Sequence, residues 1–332
     1  MADKSENEEQ TPDQPTELSA ATWWGALKRV GPEFKADSLA DWAAALTYYA
    51  VLSIFPAILV VVSIVGLAGK SVSQSLITNV GQLAPGAVKQ VLTNAITELQ
   101  HGRGGASVAA LAGIVLGVWS ASKYVAAFMR ASNAIYDVPE GRPIWKTLPI
   151  RLAVTLVALV LLSVSAIAVV VTGGVAVKFG DLFGAGHAAV VTWDVAKWPV
   201  LLVIAAFLFA LLYWASPNAK QGFRWVSPGG ILAIVGWLVA SAGFALYVAA
   251  FNSYNKTYGS IAAIIVFLVW LWISNLALLL GAEFNAELER GRYITAGHPA
   301  GEQPYVRLRD TRRLDEEQRR QLEEGTLGDR DL

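Results

Sequence analysis

The side chains that could do chemistry in this sequence are few, and Lys123 is the most informative of them. It lies in an apolar run, seven residues before Arg130, so both side chains project from one face of a helix. An ionisable group in hydrocarbon is costly unless it is paired or hydrated. Lys123 is therefore a candidate for contact with an anionic group in a hydrated cavity. The alternative is that it snorkels to the membrane interface, where Arg130 would serve as an anchor.

Polar residues of two other apolar runs fall at a depth similar to that of Lys123. Tyr49 and Ser53 lie in the first run, and Ser274 and Asn275 lie in the last. A polar cluster in the inner half of a helical bundle would follow if these runs pack together. The candidate residues for a substrate cavity are Tyr48, Tyr49, Ser53, Lys123 and Asn275.

Two further polar groups are candidates for a role in the bundle. Arg130 falls near the level of Glu283, which makes these two residues a candidate ion pair. A short polar connection between the last two apolar runs is a candidate external mouth for a solute; a hydrogen-bonded turn is the alternative. Its candidate residues are Asn252, Tyr254, Asn255 and Tyr258.

The residues needed for enzymatic catalysis are not brought together by any recognisable motif. There is no cysteine, no H-x-x-x-H pair, no P-loop and no G-x-S-x-G motif. The nearest approaches to paired metal-binding carboxylates are Asp37 with Asp41 and Glu283 with Glu287, which fit better as helix-cap and helix-end charges. We therefore expect no catalytic residue, metal, cofactor or bound nucleotide. The histidines are far apart, at His101, His187 and His298.

Composition explains why so little chemistry is available. Hydrophobic residues form 55% of the 332 and charged residues 16%, with a net charge of zero, so nucleic acid is not an expected partner. Several apolar runs reach roughly 20 residues, the length that spans a bilayer. The sequence predicts an all-α polytopic membrane protein, a bundle of about six transmembrane helices. The predicted spans are 43–67, 107–131, 150–175, 195–214, 229–251 and 259–283.

The segments outside the spans differ in character. Residues 1–18 are acidic and are expected to be disordered. A helix follows at the start of the membrane domain (19–290), interrupted at Gly31-Pro32; it lies in the membrane interface or packs on the protein's own cytoplasmic face. Residues 70–106 are expected to form two short amphipathic external helices. The charged tail, 291–332, is expected to be a solvated helix or disordered.

Basic residues near the ends of the spans predict the orientation. Cytoplasmic loops carry an excess of lysine and arginine, and this excess is obtained with both termini in the cytoplasm. The residues then inside are Lys28, Arg29, Lys35, Arg130, Arg142, Lys146, Arg151, Lys220, Arg224, Arg290 and Arg292.

Three stretches of sequence together form a specific pattern. They are Ala43-Ala44-Ala45-Leu46-Thr47-Tyr48-Tyr49 with Leu52-Ser53-Ile54-Phe55-Pro56; Trp119-Ser120-Ala121-Ser122-Lys123 with Ala134-Ile135-Tyr136-Asp137-Val138 and Arg142-Pro143; and Tyr254-Asn255-Lys256-Thr257-Tyr258-Gly259-Ser260 with Leu280-Gly281-Ala282-Glu283-Phe284-Asn285-Ala286-Glu287. The pattern resembles that of the YihY/BrkB family of bacterial inner-membrane proteins. The resemblance implies a six-helix inner-membrane protein without a settled activity. Members have been labelled ribonuclease BN, virulence factor and transporter, and the ribonuclease label fits badly with the missing acid, base and metal ligands.

These observations favour transport or handling of an anionic or amphiphilic, lipid-like substrate through a polar cavity in the inner half of the bundle. The alternative is a non-transporting structural or envelope-assembly protein, which would hold partners through its interfacial and external helices. Membrane lipids are the expected partners under either hypothesis. The G-x-x-x-G formed by Gly113 and Gly117 permits close helix packing and leaves a homo-oligomer open.

Overall fold

The chain is α-helical throughout the residues that the structure, a computed structural model, describes: 18–67, 105–170, 187–223, 226–250 and 255–326. Over these ranges the only β-type pairings are two isolated bridges, so the predicted all-α class is confirmed. The helices are α1 (Ala20–Ala36), α2 (Leu39–Leu67), α3 (Gly105–Ile135), α4 (Ile144–Val170), α5 (His187–Ala215), α6 (Pro228–Ala250), α7 (Asn255–Thr295) and α8 (Glu316–Glu324).

Four of these helices contain described stretches that are long and apolar enough to cross a membrane. The stretches are Ile144–Ser165, Val195–Ala215, Pro228–Val248 and Ile264–Thr295. The first two predicted spans fall within α2 and α3, which have 29 and 31 residues. Each predicted span thus coincides with a long helix over its described part, whereas the total of six crossings stays a prediction.

The chain divides into two compact units. The first contains residues up to Tyr48, Ala126–Ile150 and Phe209–Leu332; the second contains Tyr49–Val125 and Arg151–Leu208. Within the second unit, Ala121 of α3 and Leu159 of α4 pack together in a small apolar cluster with Val118. Arg151 lies over the ring of Trp119 in the same unit, with its guanidinium carbon 5.0 Å from the ring centroid.

The first unit is organised around the crossing of α6 and α7. Gly229 and Gly281 face each other there, and a Cβ atom on either glycine would collide with the other's carbonyl oxygen. The amide N–H of Gly229 donates to Asn285 Oδ1 at 2.8 Å, which ties the start of α6 to α7. Small residues allow such close approach between helices in a membrane. This crossing places the first turn of α6 beside the second half of α7.

Helix α1 packs one face on α7. Ala26 and Val30 of α1 join Phe284 and Leu288 of α7 in an apolar cluster, together with Leu18. The helix is continuous through Gly31 and Pro32, so the predicted interruption is wrong. Packing against α7 holds the helix together there, since tertiary contacts supply most of a helix's stability.

Residues 303–314 of the tail are docked rather than solvated. The backbone N–H of Lys220 donates to Arg307 O at 2.6 Å, and the N–H of Arg309 donates to Asn218 O at 2.9 Å. Tyr305 is buried and donates its hydroxyl to Ile135 O at 3.2 Å. The charged composition of the tail indicated solvent exposure; within its described residues, α8 has the exposed, solvated character that was predicted, whereas Tyr305, Asp310 and Leu314 are buried.

Some predicted segments lie outside the described residues. They include nearly all of the acidic N-terminal segment and of the amphipathic stretch 70–106. Leu18, which was assigned to the disordered tail, is instead buried against α7. The assignment of Leu18 to a disordered tail is therefore wrong.

Candidate functional site

The first unit contains a polar cavity of about 900 Å³ at the end of α5, the start of α6 and the end of α7. Tyr136 after α3, the α5–α6 loop and the tail form its remaining walls. Tyr136, Tyr213, Trp214 and Tyr305 supply aromatic surface, and Lys220, Arg292 and Arg307 supply positive charge. Further lining residues are Gln221, Ser227, Asn285, Leu288, Glu289, Tyr293, His298, Glu302 and Gln303.

Helix packing holds the aromatic wall of this cavity in place. Tyr213 near the end of α5 is buried and donates its hydroxyl to Leu278 O of α7 at 2.7 Å. Its ring stacks on Phe128 of α3, with centroids 6.3 Å apart. Trp214 meets Phe223 edge to face, and the guanidinium of Arg309 lies 5.3 Å from the Trp214 ring centroid. These contacts fix rings that a ligand would meet.

The charged groups of the cavity are mostly accessible. Lys220 and Arg307 are exposed, and Arg292 forms an ion pair with Glu289 at 2.8 Å. The rings of Tyr293 and His298 stack almost parallel, with centroids 4.0 Å apart. Basic side chains with solvent access suit the binding of an anion, because hydrogen bonds between charged groups are strong.

A network of buried polar groups fastens the tail beside the cavity. Asn218 donates its Nδ2 to Pro139 O at 3.0 Å and to Asp310 O at 2.9 Å, and its N–H donates to Asn133 Oδ1 at 2.7 Å. Lys146 Nζ donates to Asp310 Oδ2 at 2.6 Å. This bond and the backbone N–H of Arg312 lower the pKa of Asp310 well below its usual value.

Arg142 anchors the same network from the α3–α4 loop and is among the most completely buried side chains described. It donates to both carboxylate oxygens of Glu140, at 2.8 and 2.7 Å. It also donates to Ala215 O and Ser216 O, at 3.2 and 2.6 Å, which satisfies carbonyls at the end of α5. Burial acts to raise the pKa of Glu140, but the hydrogen bonds and charge of Arg142 outweigh burial and lower it.

A second polar cluster lies between α1 and α7. Arg29 forms an ion pair with Glu287 and also donates to the Glu287 carbonyl at 3.0 Å. Arg290 pairs with Glu33 at 3.0 Å. Asp37, at the C-cap of α1, and Glu283 are both buried, and their side chains lie next to each other.

Of the predicted cavity residues, Asn275 makes a specific contact between helices. It is buried, and its Nδ2 donates to Thr47 Oγ1 of α2 at 3.0 Å, while Thr47 donates to Ala43 O at 2.8 Å. The neighbouring Ser274 accepts a hydrogen bond from Trp237 Nε1 of α6 at 3.1 Å. These polar residues therefore join helices within the first unit.

The other predicted cavity residues are more exposed. Tyr48 and Lys123 are exposed, whereas Tyr49 and Ser53 are half-buried, and Ser53 donates to Tyr49 O at 2.7 Å within α2. None of the five lines the 900 Å³ cavity. Because Tyr49, Ser53 and Lys123 belong to the second unit and Asn275 to the first, a cavity joining them stays a prediction.

The remaining predicted positions are only partly described. Glu283 is buried next to Asp37, and its pairing with the exposed Arg130 stays a prediction. Asn252 and Tyr254 of the predicted external mouth lie outside the described residues. Asn255 and Tyr258 fall in the first turn of α7, where only the backbone is described.

The residues of the cavity and of the tail network were not recognised from the sequence. Arg142 was assigned to the basic residues that predict orientation and to the family pattern, and Lys220 and Arg292 of the cavity were assigned to the same basic set. Asn218 and Asp310 were not singled out. The sequence did contain one indication of the role of Arg142, since Arg142-Pro143 belongs to the pattern that resembles the YihY/BrkB family. Hydrogen bonds between residues 92 positions apart, such as that of Asn218 with Asp310, leave no local periodicity to find.

Comparison with known proteins shows where this arrangement belongs. The ribonuclease-like protein YfkH of Bacillus subtilis (strain 168) is 29% identical over 259 residues, which cover 77% of this chain and 92% of YfkH. A UPF0761 membrane protein of Ralstonia nicotianae is 32% identical over 79% of this chain, and another from Azoarcus sp. (strain BH72) is 28% identical over 81%. The matches span 57% and 66% of the lengths of those two proteins.

No solved structure matches the chain. The sequence model of the family described as Virulence factor BrkB matches residues 31–304, a range that includes the α6–α7 crossing and the carboxyl groups of the α1–α7 cluster. The cavity is covered in part, because Tyr305, Arg307 and the other tail residues that line it after Pro304 lie beyond that range. With its long apolar helices and its UPF0761 relatives, the chain is an integral membrane protein that belongs to the virulence factor BrkB family.

Proposed function

We propose that this protein binds and moves an anionic amphiphile, with the headgroup held in the cavity at the ends of α5, α6 and α7. The observation that carries the proposal is the lining of that cavity. Basic side chains and aromatic rings together face about 900 Å³ of space beside helices that are apolar enough to cross a membrane.

The position of the cavity on α6 supports an amphiphilic ligand. Ser227 and Pro228 line it at the start of this helix, and the side chains of Ile231, Val235 and Val239 beyond them are exposed. An exposed apolar helix surface suits lipid chains, and the end of such a helix lies at headgroup level. A lipid could therefore place its headgroup in the cavity and its chains along the helix.

The charge of the cavity supports an anionic headgroup. Lys220, Arg292 and Arg307 outnumber the two acidic lining residues, Glu289 and Glu302. Charge-assisted hydrogen bonds from lysine and arginine to phosphate oxygens are stronger than bonds between neutral groups. The exposed Trp214 and the half-buried Tyr293 are typical of positions where one side of a ring is apolar and its edge meets water.

Lipid binding by the purified full-length protein tests the proposal. Native mass spectrometry in detergent would count bound phosphatidylglycerol against phosphatidylcholine for wild type and for a Lys220→Gln, Arg307→Gln double variant. The matched control is Arg319→Gln, Arg320→Gln, which removes the same charge from exposed positions of α8. We expect the cavity variant to weaken phosphatidylglycerol binding at least about tenfold, since bonds to charged groups contribute roughly 1.5–3 kcal/mol each.

Movement is measured separately, from the rate at which a fluorescent anionic lipid exchanges between leaflets of vesicles containing the protein. The cavity variant should slow this exchange and the α8 variant should not. Equal loss in both variants would show that net charge, not the cavity, attracts the lipid. Wild-type vesicles that exchange lipid no faster than empty vesicles would contradict the movement half of the proposal.

The alternative of a structural or assembly protein has its own supporting observation. Trp24 and Leu27 on the outer face of α1 are 59% and 48% exposed, and Lys28 lies over the Trp24 ring. This face suits the membrane interface or a partner protein. Under the alternative, Trp24→Ser with Leu27→Ser would impair cellular function more than the double cavity variant does.

We further infer a bacterial inner-membrane location with both termini in the cytoplasm, and a function without enzymatic chemistry. The basic residues of the α3–α4 and α5–α6 loops support the orientation, because such residues are retained on the cytoplasmic side. Attachment of a membrane-impermeant thiol reagent to a single cysteine at Arg319 in spheroplasts tests it. Labelling of intact spheroplasts would place the tail outside and overturn the inference.

A further inference from the structure

We propose that Asp37 and Glu283 form a proton-binding site that holds α1 against α7. The proposal concerns a ligand, the proton, for which neither the cavity nor the lipid hypothesis accounts. It rests on the geometry of two buried carboxyl groups, and it stands whether or not the protein moves lipids.

Burial and contact make the pair unusual. Asp37 is 5% exposed and Glu283 is 1% exposed, and the two side chains lie next to each other. A carboxylate can only accept hydrogen bonds, so a bond between two carboxyl groups requires that one of them carry a proton. Two neighbouring buried carboxyl groups therefore fit together if one of them carries a proton and donates it to the other.

The second oxygen of Glu283 supports the same conclusion. Glu283 Oε2 is buried and accepts no hydrogen bond. A buried oxygen that bears ionic charge without a donor is strongly unfavourable, whereas the carbonyl oxygen of a neutral carboxylic acid is tolerated much better. The unpartnered oxygen is therefore explained if Glu283 is the neutral member of the pair.

The charged groups around Asp37 and Glu283 are either arginines that pair with other carboxylates or further carboxylates. From α1, Arg29 bonds to Glu287 and Glu33 bonds to Arg290; on α7, Glu287 also lies 3.6 Å from Arg290. The tail contributes Tyr305, whose hydroxyl donates to Ile135 O. Four carboxyl groups thus share this region with two arginines, and one bound proton brings the balance closer to neutral.

Release of the proton has a mechanical consequence. With both groups ionised, two negative charges would lie side by side in a buried contact between the C-cap of α1 and α7. Like charges at hydrogen-bonding distance repel strongly in a region of low polarity. Deprotonation should therefore loosen α1 from the apolar cluster that contains Ala26.

Infrared spectroscopy of the full-length protein in lipid nanodiscs tests for the proton. We expect wild type to show a protonated-carboxyl C=O band that shifts in D₂O, and Asp37→Asn and Glu283→Gln each to lose it. The matched control Glu316→Gln, at an exposed position of α8, should keep the band. Arg130→Gln, which removes the cation predicted beside Glu283, should also keep it.

A thiol measurement tests the consequence without altering the pair, because the chain contains no cysteine. We compare the labelling rate of Ala26→Cys with that of Glu316→Cys, because any thiol reacts faster as the pH rises. The ratio of the two rates should rise several-fold from neutral to alkaline pH. Adding Asp37→Asn should abolish the rise, since the amide can donate to an ionised Glu283. The proposal is overturned if wild type lacks the band, if the band survives both pair variants, if it appears only in Arg130→Gln, or if relative labelling of Ala26→Cys is independent of pH.

Discussion

Gly229 and Gly281 meet backbone to backbone where α6 crosses α7, with each glycine occupying the space that a side chain on the other would need. A Cβ on Gly281 would also lie 2.5 Å from the hydroxyl oxygen of Tyr213 and 2.7 Å from Ala233 Cβ. The crossing sets the position of Asn285, which bonds to Gly229, and of Tyr213, which bonds to Leu278. Both residues line the cavity, so its shape depends on this contact.

Gly281→Ala should therefore be strongly destabilising. Backbone atoms cannot move aside as a flexible side chain would, and overpacking of this kind costs about 1–3 kcal/mol. The matched control is Gly236→Ala in α6, where an added Cβ meets nothing within 4 Å and alanine favours the helix. Unfolding in mixed micelles should show a loss for Gly281→Ala and no loss for Gly236→Ala. Equal stabilities would mean that the helices do not cross at these glycines.

Arg142→Met should loosen the tail. Methionine roughly preserves the volume but leaves Glu140, Ala215 O and Ser216 O without their buried donor, and we expect a loss of about 3 kcal/mol. Arg313→Met is the control, because Arg313 is exposed and its backbone N–H, which the substitution leaves in place, donates to Gly141 O. Limited proteolysis should cut the tail of Arg142→Met sooner than that of wild type or Arg313→Met. An uncut tail in all three would show that Arg142 does not fasten it.

The sequence predicted the helices better than it predicted how they are held together. Apolar runs located each long helix because a membrane span requires a continuous run of apolar residues. The docked tail was missed because its charged residues suggested solvation, whereas Asp310 and Arg309 are held by lysine and backbone partners far away in sequence. Polar contacts between distant segments have no periodic signature.

In the candidate site, too, the sequence identified individual polar residues but not the residues that they contact. Lys123 was singled out as a charge inside an apolar run, and it is exposed in the second unit. Glu283 was singled out as a candidate partner of Arg130, but its contact with Asp37 could not be foreseen. Asp37 was considered only with Asp41, its neighbour along the chain, because sequence spacing relates residues of one helix and not residues of α1 and α7.

Acid should release the tail through Asp310. Its pKa is held below the usual value by Lys146, so ionised Asp310 stabilises the docked state above its unfolded pKa of about 3.9, and this contribution is lost as pH falls through the lower folded pKa. A spin label on a cysteine at Arg313 should become more mobile as the pH falls below about 4. Asp310→Asn, which cannot ionise, should show a mobile label already at neutral pH. A wild-type label whose mobility does not change in acid would contradict this role.

Asn275 was predicted to line a substrate cavity, but it bonds to Thr47 between two helices. Substitution of either residue tests whether this bond is a structural contact. Hydrogen bonds between membrane helices contribute about 0.6 kcal/mol on average and up to roughly 2 kcal/mol. If the bond is structural, Asn275→Ala and Thr47→Val should each reduce stability by that order, and the double variant should lose less than the sum of the two. Lipid exchange in vesicles should be unchanged once folded protein is matched. A loss of lipid exchange with unchanged stability would instead indicate that Asn275 contacts the substrate. Such a residue affects transport without holding α2 to α7.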